Sequence, residues 1–206
     1  MTDSHFIAIE GIEGVGKTTL SKFISTYLLE KGIDNRITRE PGGTDVSEVV
    51  RELLKDPKYQ IDPKTELLLM FASRAHHVEH FIKPLLSQGI TVISDRYVDA
   101  SYAYQGGGRG IPDADIAAVE AIACQGLRPD ITILVYCPVD IAMDRVRSRA
   151  LAIDRIEQEK IAFFQRAQDK YLSIAKDNDS YIVLDGSQSL DAVTTALKKQ
   201  LDLRYE

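Results

Sequence analysis

The segment Gly11-Ile12-Glu13-Gly14-Val15-Gly16-Lys17-Thr18 restricts the fold of this 206-residue chain more than any other feature. It matches G-x-x-x-x-G-K-[ST] at every fixed position, follows the apolar run 6–9 and precedes a helical pattern. In that context glycines let backbone N–H groups face phosphate oxygens, and the helix N-terminus adds partial positive charge. We therefore predict a P-loop for a nucleoside triphosphate, with Lys17 on the β- and γ-phosphates and Thr18 on Mg²⁺.

The rest of the chain alternates apolar runs of strand length with helical patterns. Strands are predicted near 6–9, 36–39, 91–94, 131–136 and 181–184. Helices are predicted near 18–31, 45–55, 64–87, from 112, 139–149, 156–176 and at the C-terminus, with a glycine-rich loop at 101–110. Such alternation indicates parallel strands joined by crossover helices, hence a three-layer α/β fold. The length suits one domain, 1–206, because it allows only one sizeable core.

Charge and composition exclude several classes of protein. The net charge is −6 and no basic stripe is present, so we expect no nucleic-acid partner. No window approaches the roughly 18 apolar residues that span a bilayer, and residues 1–5 carry no basic signal-peptide region. We therefore expect no membrane partner and a cytoplasmic location. Cys124 and Cys137 form no CxxC pattern and are predicted to be buried thiols.

A P-loop alone does not distinguish a kinase from a nucleotide-switch GTPase. The N-K-x-D motif that reads guanine is missing, as is a D-x-x-G switch after a strand. A kinase needs a second site for its acceptor, and polar segments suited to one occur at 39–44 and 101–110. Asp95 and Arg96 end a predicted buried strand, where open α/β sheets bind ligands. Phe71 and Arg74, three positions apart, are predicted to share a helix face.

Three motifs together are far more specific than the P-loop. They are TREPGG at 38–43, Asp-Arg-Tyr at 95–97 and AYQGGGRG at 103–110. In this order and spacing they resemble the thymidylate kinase family along nearly the whole chain. The resemblance implies a P-loop nucleoside monophosphate kinase fold with a five-stranded parallel sheet, and a homodimer. It also implies transfer of the ATP γ-phosphate to dTMP, giving dTDP for dTTP biosynthesis.

The resemblance also implies roles for individual residues of the acceptor site. Phe71 would stack on thymine, and Arg74 would donate a hydrogen bond to its O4. Arg96 would hold the dTMP phosphate with help from Arg39, because a guanidinium fork matches phosphate oxygens. Glu13 would face the deoxyribose 3′-hydroxyl.

Four further residues complete the implied site. Tyr104 would crowd the 2′ position of the sugar, and Gln105 would approach the base. Ser101 is assigned to the dTMP site as well. Asp95 would support Mg²⁺ together with Thr18.

The family's bacterial class carries its catalytic arginine in a mobile lid. In this chain the P-loop has no cation besides Lys17, whereas four arginines cluster near 145–156. The resemblance therefore implies a lid there, with Arg149 catalytic beside Lys17 and Arg96, and with Arg145 on ATP. Family lids often place glycine after the last arginine of the series, but here Ala150 follows Arg149. Arg147 and Arg155 therefore stay open as alternatives.

The stretch 76–80 contains H-x-x-E-H, a zinc-protease pattern in which His76 and His80 would bind metal. No third ligand is evident, so we interpret the stretch as polar surface of the helix that carries Arg74.

A kinase for another small acceptor and a non-enzymatic nucleotide switch are the alternatives to a dTMP kinase.

Overall fold

The computed structural model describes residues 4–148 and 154–205. Five parallel strands form one sheet in the order β2-β3-β1-β4-β5. Their bounds are β1 Phe6–Glu10, β2 Asn35–Arg39, β3 Thr91–Asp95, β4 Ile131–Tyr136 and β5 Tyr181–Asp185. The predicted α/β fold with a five-stranded parallel sheet is therefore confirmed.

Helices cover both faces of the sheet. Within the described ranges they are α1 Lys17–Glu30, α2 Asp45–Lys55, α3 Pro63–His77, α4 Lys83–Ser87, α5 Val98–Ser101, α6 Asp113–Cys124, α7 Val139–Arg147, α8 Ile161–Ala175 and α9 Leu190–Tyr205. Two π-helical segments, Val78–Ile82 and Tyr102–Gly108, join α3 to α4 and extend α5. In the part of the chain covered by these elements, no helix is both long and apolar enough to cross a membrane.

Strand β1 shows why the apolar runs are continuous rather than alternating. Ile7 and Ile9 pack into one apolar cluster with residues of α1, α8 and α9, whereas Phe6 packs into a second cluster with residues of α3 and α6. A strand buried on both faces needs apolar side chains at every position. The two free cysteines follow the same division, since Cys137 lies in the first cluster and Cys124 in the second, both buried as predicted.

The predicted long helix 64–87 is interrupted. The π-helical segment Val78–Ile82 separates α3 from α4. Pro84 lies in the first turn of α4 and has no backbone N–H to donate to residue 80, so the regular hydrogen-bond ladder cannot continue through this point. The predicted helix 156–176 likewise begins later, at Ile161.

The predicted glycine-rich loop at 101–110 is wrong, because most of it is helical. The glycines serve close packing instead of a turn. A Cβ at Gly107 would lie 2.7 Å from the backbone oxygen of Arg166, and one at Gly108 would lie 2.4 Å from the ring of Phe163. Glycine thus lets this segment lie directly against α8.

Candidate active site

The P-loop has the strand–turn–helix geometry that its sequence predicts. Gly11 has a φ of +133°, and a Cβ there would lie 2.2 Å from the backbone oxygen of Val135, so only glycine fits. Lys17 begins α1, and its ammonium group donates to the carbonyl oxygens of Gly11 at 2.9 Å and Ile12 at 2.8 Å. Burial, with the nearby charge of Arg96, lowers the pKa of Lys17 to about 8.

A cavity of about 490 Å³ opens from the P-loop across the carboxyl ends of β1, β2 and β3. Its cationic lining residues are Lys17, Arg39, Arg51, Lys55, Arg74, Arg96 and Arg145. Its acidic lining residues are Glu13, Glu40, Asp95, Asp154 and Glu157. The predicted Ser101, Tyr104 and Gln105 also line it, as do Arg51 and Lys55, which no sequence motif indicated. An excess of cations over carboxylates suits a cavity that binds phosphates.

The backbone of Arg96 is held in a conformation that non-glycine residues avoid. Its φ is +75°. The N–H of Arg96 donates to the oxygen of Ile9 at 2.9 Å, and its carbonyl accepts from the Ser94 hydroxyl at 2.7 Å. The next N–H, of Tyr97, donates to the buried Glu10 carboxylate at 2.7 Å. Three hydrogen bonds therefore offset a left-handed strain of about 1–3 kcal/mol and fix where the Arg96 side chain begins.

The Arg96 guanidinium lies inside the cavity among oxygen atoms. It donates to Glu13 at 2.6 Å, to the Tyr104 hydroxyl at 3.0 Å and to the Tyr171 hydroxyl at 3.3 Å. Tyr104 also donates to Glu13, at 2.6 Å. Burial alone would raise the pKa of Glu13, but Arg96 and Lys17 hold it below its ordinary value. Tyr171, on α8, was missed because nothing in its local sequence separates it from a core tyrosine.

Arg74 is buried beneath the other end of the cavity, with 2% of its side chain exposed. Its Nε donates to Glu40 at 2.6 Å, one terminal nitrogen donates to the Ser101 hydroxyl at 2.9 Å, and the other donates to the Tyr97 carbonyl at 2.8 Å. A guanidinium has five N–H donors, so these partners use three of them. Arg74 is thus fixed in place with donor capacity beyond these three bonds.

The structure buries Phe71 in the core and places Met70 at the cavity wall. Phe71 does share a face with Arg74, whose guanidinium carbon lies 4.5 Å from the ring centroid, but its ring packs in the core. Among the described residues Met70, not Phe71, lines the cavity. Met70 precedes Arg74 by four positions and so lies one turn away on the same helix face. Met70 therefore contributes an apolar side chain to the cavity wall next to Arg74.

His77 contradicts the interpretation of 76–80 as polar surface. It is fully buried, with Nδ1 2.9 Å from Glu40 and Nε2 2.7 Å from the Thr38 hydroxyl. Burial raises the pKa of Glu40, but Arg74 and His77 outweigh it and hold that pKa below its ordinary value. Glu79 and His80 are exposed. Across residues 4–148 and 154–205, no group of three potential metal ligands is present.

Oxygen atoms suited to Mg²⁺ lie where the P-loop meets β3. The Thr18 hydroxyl is 3.2 Å from a carboxylate oxygen of Asp95, and both residues line the cavity. Hydroxyl and carboxylate oxygens are the hard ligands that Mg²⁺ prefers. The residues present therefore fit the predicted metal.

A second, smaller cavity of about 220 Å³ lies on the outer side of the P-loop. Its lining residues are Val15, Gly16, Thr19, Leu20, Arg145, Gly186, Gln188, Leu190 and Val193. Arg145 lines both cavities and donates to the Gly186 carbonyl at 2.8 Å. Arg145 was predicted from the sequence, but the segment 186–190 was not, because it carries no charged or repeated signature.

The predicted lid arginines differ in their surroundings. Arg149 lies outside the described residues. Arg147 is exposed and pairs with Asp144 at 3.0 Å. Arg155 bonds to α2 and α3, donating to the Leu54 carbonyl at 2.8 Å and to Glu66 at 2.7 Å.

The family model for thymidylate kinases matches residues 9–197. The chain belongs to the thymidylate kinase family. It is similar to the thymidylate kinase of Hahella chejuensis, at 46% identity over 98% of this chain and 97% of that protein. The thymidylate kinase of Neisseria gonorrhoeae is 44% identical over 96% of each chain. That of Chromohalobacter salexigens is 50% identical over 73% of this chain and 72% of that protein.

Membership in the thymidylate kinase family confirms the predicted enzyme class, a nucleoside monophosphate kinase. Such an enzyme must bind a donor and an acceptor nucleotide together. In this chain the P-loop lies between the two cavities. The arrangement therefore offers space for a nucleotide on each side of one phosphate-binding loop.

Proposed function

We propose that this protein transfers the γ-phosphate of ATP to dTMP, giving dTDP and ADP in the synthesis of dTTP. One observation carries the proposal. Lys17 of the P-loop and Arg96 of the acceptor side donate to the same atom, the Gly11 carbonyl oxygen, each at 2.9 Å. A phosphate on each cation would therefore be held next to the other, and phosphoryl transfer depends mainly on such positioning and on charge stabilisation.

The larger cavity suits dTMP. Arg96 would bind its phosphate, assisted by the half-exposed Arg39. At the other end Arg74 would donate to the base carbonyl O4, while the thioether of Met70 would cover the face of the base. Phe71, whose ring lies 4.5 Å from the guanidinium carbon of Arg74, remains the residue predicted to stack on thymine.

The sugar of dTMP would lie between these two ends. Glu13 is ionised and accepts hydrogen bonds, so it can receive one from the 3′-hydroxyl. Tyr104 would fill the space at the 2′ position, because its hydroxyl is already fixed by Glu13 and Arg96. Ser101 would support the base end through its bond with Arg74.

The donor side suits ATP. Backbone N–H groups of 11–18 and Lys17 would bind its phosphates. The smaller cavity, with Leu190 and Val193 in its lining, would take the apolar face of the adenine. Arg145, which lines both cavities, would also contact ATP. Mg²⁺ on Thr18 and Asp95 would supply positive charge that neutralises the phosphate oxygens.

We also propose that the catalytic arginine comes from a lid at about 145–156 within a single domain, with Arg149 as first candidate. Lys17 is the only cation of the P-loop, and Arg155 is docked on α2 and α3. Arg149→Ala should lower kcat far more than either KM, because its contact would form mainly in the transition state. Arg149→Lys should rescue poorly, since a point charge cannot replace the planar fork. If Arg147→Ala, Arg149→Ala and Arg155→Ala all keep wild-type kcat, the lid proposal fails.

A homodimer is part of the proposal. Helices α2, α3 and α6 pack side by side, and each exposes an aliphatic side chain: Val49 is 72% exposed, Leu68 58% and Ile122 78%. A second copy would remove this apolar area from water. Sedimentation velocity on wild type and Leu68→Asp tests it, because a wild-type monomer would contradict the dimer. We place the enzyme in the cytoplasm with no nucleic-acid or membrane partner.

Kinetics with a panel of acceptors test the reaction itself. ADP release should be rapid with dTMP and slow with dCMP, purine monophosphates and non-nucleotide acceptors. Arg74→Ala should raise the KM for dTMP and weaken discrimination against dCMP, leaving the KM for ATP nearly unchanged. Faster turnover of a different acceptor would replace dTMP as the substrate.

A further inference from the structure

Glu66, outside the cavity, holds a residue that lines it. The side-chain nitrogen of Gln105 donates to Glu66 Oε1 at 2.8 Å. Glu66 is fully buried on α3 and does not belong to the described cavity lining. It therefore reaches the cavity only through the amide of Gln105.

Two arginines keep Glu66 ionised. Arg109 donates to both carboxylate oxygens, at 3.2 and 3.1 Å, and Arg155 donates to Oε2 at 2.7 Å. Burial acts to raise the pKa of Glu66, but the bonds from Arg109, Gln105 and Arg155 hold it below its ordinary value. Glu66 is thus an acceptor with no hydrogen to donate.

This chemistry fixes which end of the Gln105 amide faces the cavity. Only the NH₂ end can bond to an ionised carboxylate, so that end must face Glu66. The carbonyl end is then left for the cavity, and within the described residues Gln105 Oε1 accepts no hydrogen bond. A fixed carbonyl oxygen is a site for a ligand N–H.

We propose that Glu66 is a positioning residue for base selection, which locks the Gln105 carbonyl toward the pyrimidine N3. The site then accepts thymine or uracil, whose N3 carries a hydrogen, and rejects cytosine, whose N3 is a bare acceptor. The inference rests on the proposed function and deepens it. Arg74 supplies the complementary test at position 4, because its donors suit a carbonyl oxygen and not an amino group. Together the two residues recognise the imide edge of the base.

Replacing Glu66 by glutamine should reverse the orientation of the Gln105 amide. Oε2 accepts from both arginines, whereas Oε1 accepts from them only the longer bond of Arg109 at 3.2 Å, so in Glu66→Gln the side-chain oxygen stays with the two arginines and the NH₂ faces Gln105. Gln105 then turns its own oxygen toward that NH₂ and presents a donor to the cavity. A donor at this position suits cytosine.

The test compares kcat/KM for dUMP with kcat/KM for dCMP, two acceptors that both lack the 5-methyl group. Wild type should favour dUMP, and Glu66→Gln should lower the ratio at least ~10-fold, the scale of one lost hydrogen bond. Glu66→Asp disturbs the geometry but keeps an acceptor-only carboxylate, so it should retain more of the ratio than Glu66→Gln. Arg109→Lys is the matched control. It changes a partner of Glu66 but keeps a cation beside the carboxylate, so Glu66 stays ionised and the ratio should stay within about 3-fold of wild type, below the effect of one hydrogen bond.

Several outcomes would overturn the inference. One is an unchanged ratio in active Glu66→Gln, and another is an equal fall in Arg109→Lys. A third needs only wild-type enzyme: equal turnover of dTMP and its N3-methyl derivative would show that N3 is not read. A wild type that prefers dCMP to dUMP would contradict the proposed function itself, so the two failures are distinguishable.

Discussion

Glu40→Gln tests whether the base end of the site rests on a buried ion pair. The Glu40 and Arg74 side chains are 3% and 2% exposed and lie 2.6 Å apart, and His77 contacts the second carboxylate oxygen at 2.9 Å. The substitution keeps the shape but removes the charge. A buried guanidinium then has only neutral partners, Ser101 and Tyr97 among them.

The expected loss in the free energy of unfolding is about 3 kcal/mol. Removing one partner of a buried pair costs about 3–5 kcal/mol, and the glutamine oxygen can still accept one bond, which favours the lower end. For a chain of this length that loss lowers Tm by roughly 6–12 °C. The pKa of Glu40 is depressed in the folded protein, so its contribution is present above the unfolded pKa and disappears as pH falls through the folded value. The difference between wild type and Glu40→Gln should therefore shrink in acid.

Urea unfolding at neutral and acidic pH measures both effects. Glu79→Gln is the matched control, because Glu79 pairs with Lys83 one helical turn away and both are well exposed. Such a pair contributes only about 0.3–0.5 kcal/mol. If Glu40→Gln costs no more than Glu79→Gln, the Glu40–Arg74 pair does not stabilise the fold and the reasoning is wrong.

Three further predictions concern other parts of the fold. Lys17→Ala should lower kcat at least ~10²-fold with the fold intact, because the P-loop loses its only cation; near-normal turnover in a coupled ADP assay would contradict this. Burial, with repulsion from Asp99, raises the pKa of Glu10 from 4.5 to about 7, so wild type should lose stability as pH rises through this interval. Glu10→Gln should remove this pH dependence of the free energy of unfolding, which urea titrations at pH 5 and 8 measure. An unchanged pH dependence in Glu10→Gln would contradict the prediction. Gly108→Ala places a Cβ 2.4 Å from the buried Phe163 ring and should cost about 1–3 kcal/mol by thermal unfolding, against a smaller cost for Gly106→Ala, whose nearest neighbour is a methyl at 3.2 Å.

The sheet could be predicted from the sequence because its central strands are buried on both faces. Continuous apolar runs such as 131–136 are typical of strands in a parallel sheet, and each of the five predicted strands coincides with a strand of the observed sheet. The P-loop and the Asp95-Arg96 pair were also predictable. Their chemistry is local, and both follow strands whose carboxyl ends meet at one edge.

Features that depend on packing between distant segments could not be predicted. Positions three and four before Arg74 both share its helix face, so only the rotation of α3 decides that Met70 lines the cavity and Phe71 the core. Gly107 taken alone indicates a turn. Its actual role is to leave room for the backbone of Arg166, some sixty positions later, which lies against it. Glu66 has no local signature, since its role depends on three partners 39 to 89 positions away.

The cationic cavity belongs to a chain with a net charge of −6. At a distance, a nucleotide dianion therefore meets a repulsive field, and the attraction of the arginines acts only within about 10 Å at 0.1 M salt. Long-range steering cannot raise the rate of encounter under these conditions. The affinity for an acceptor nucleotide must then come from a long residence time inside the cavity, so salt should change the dissociation rate more than the association rate.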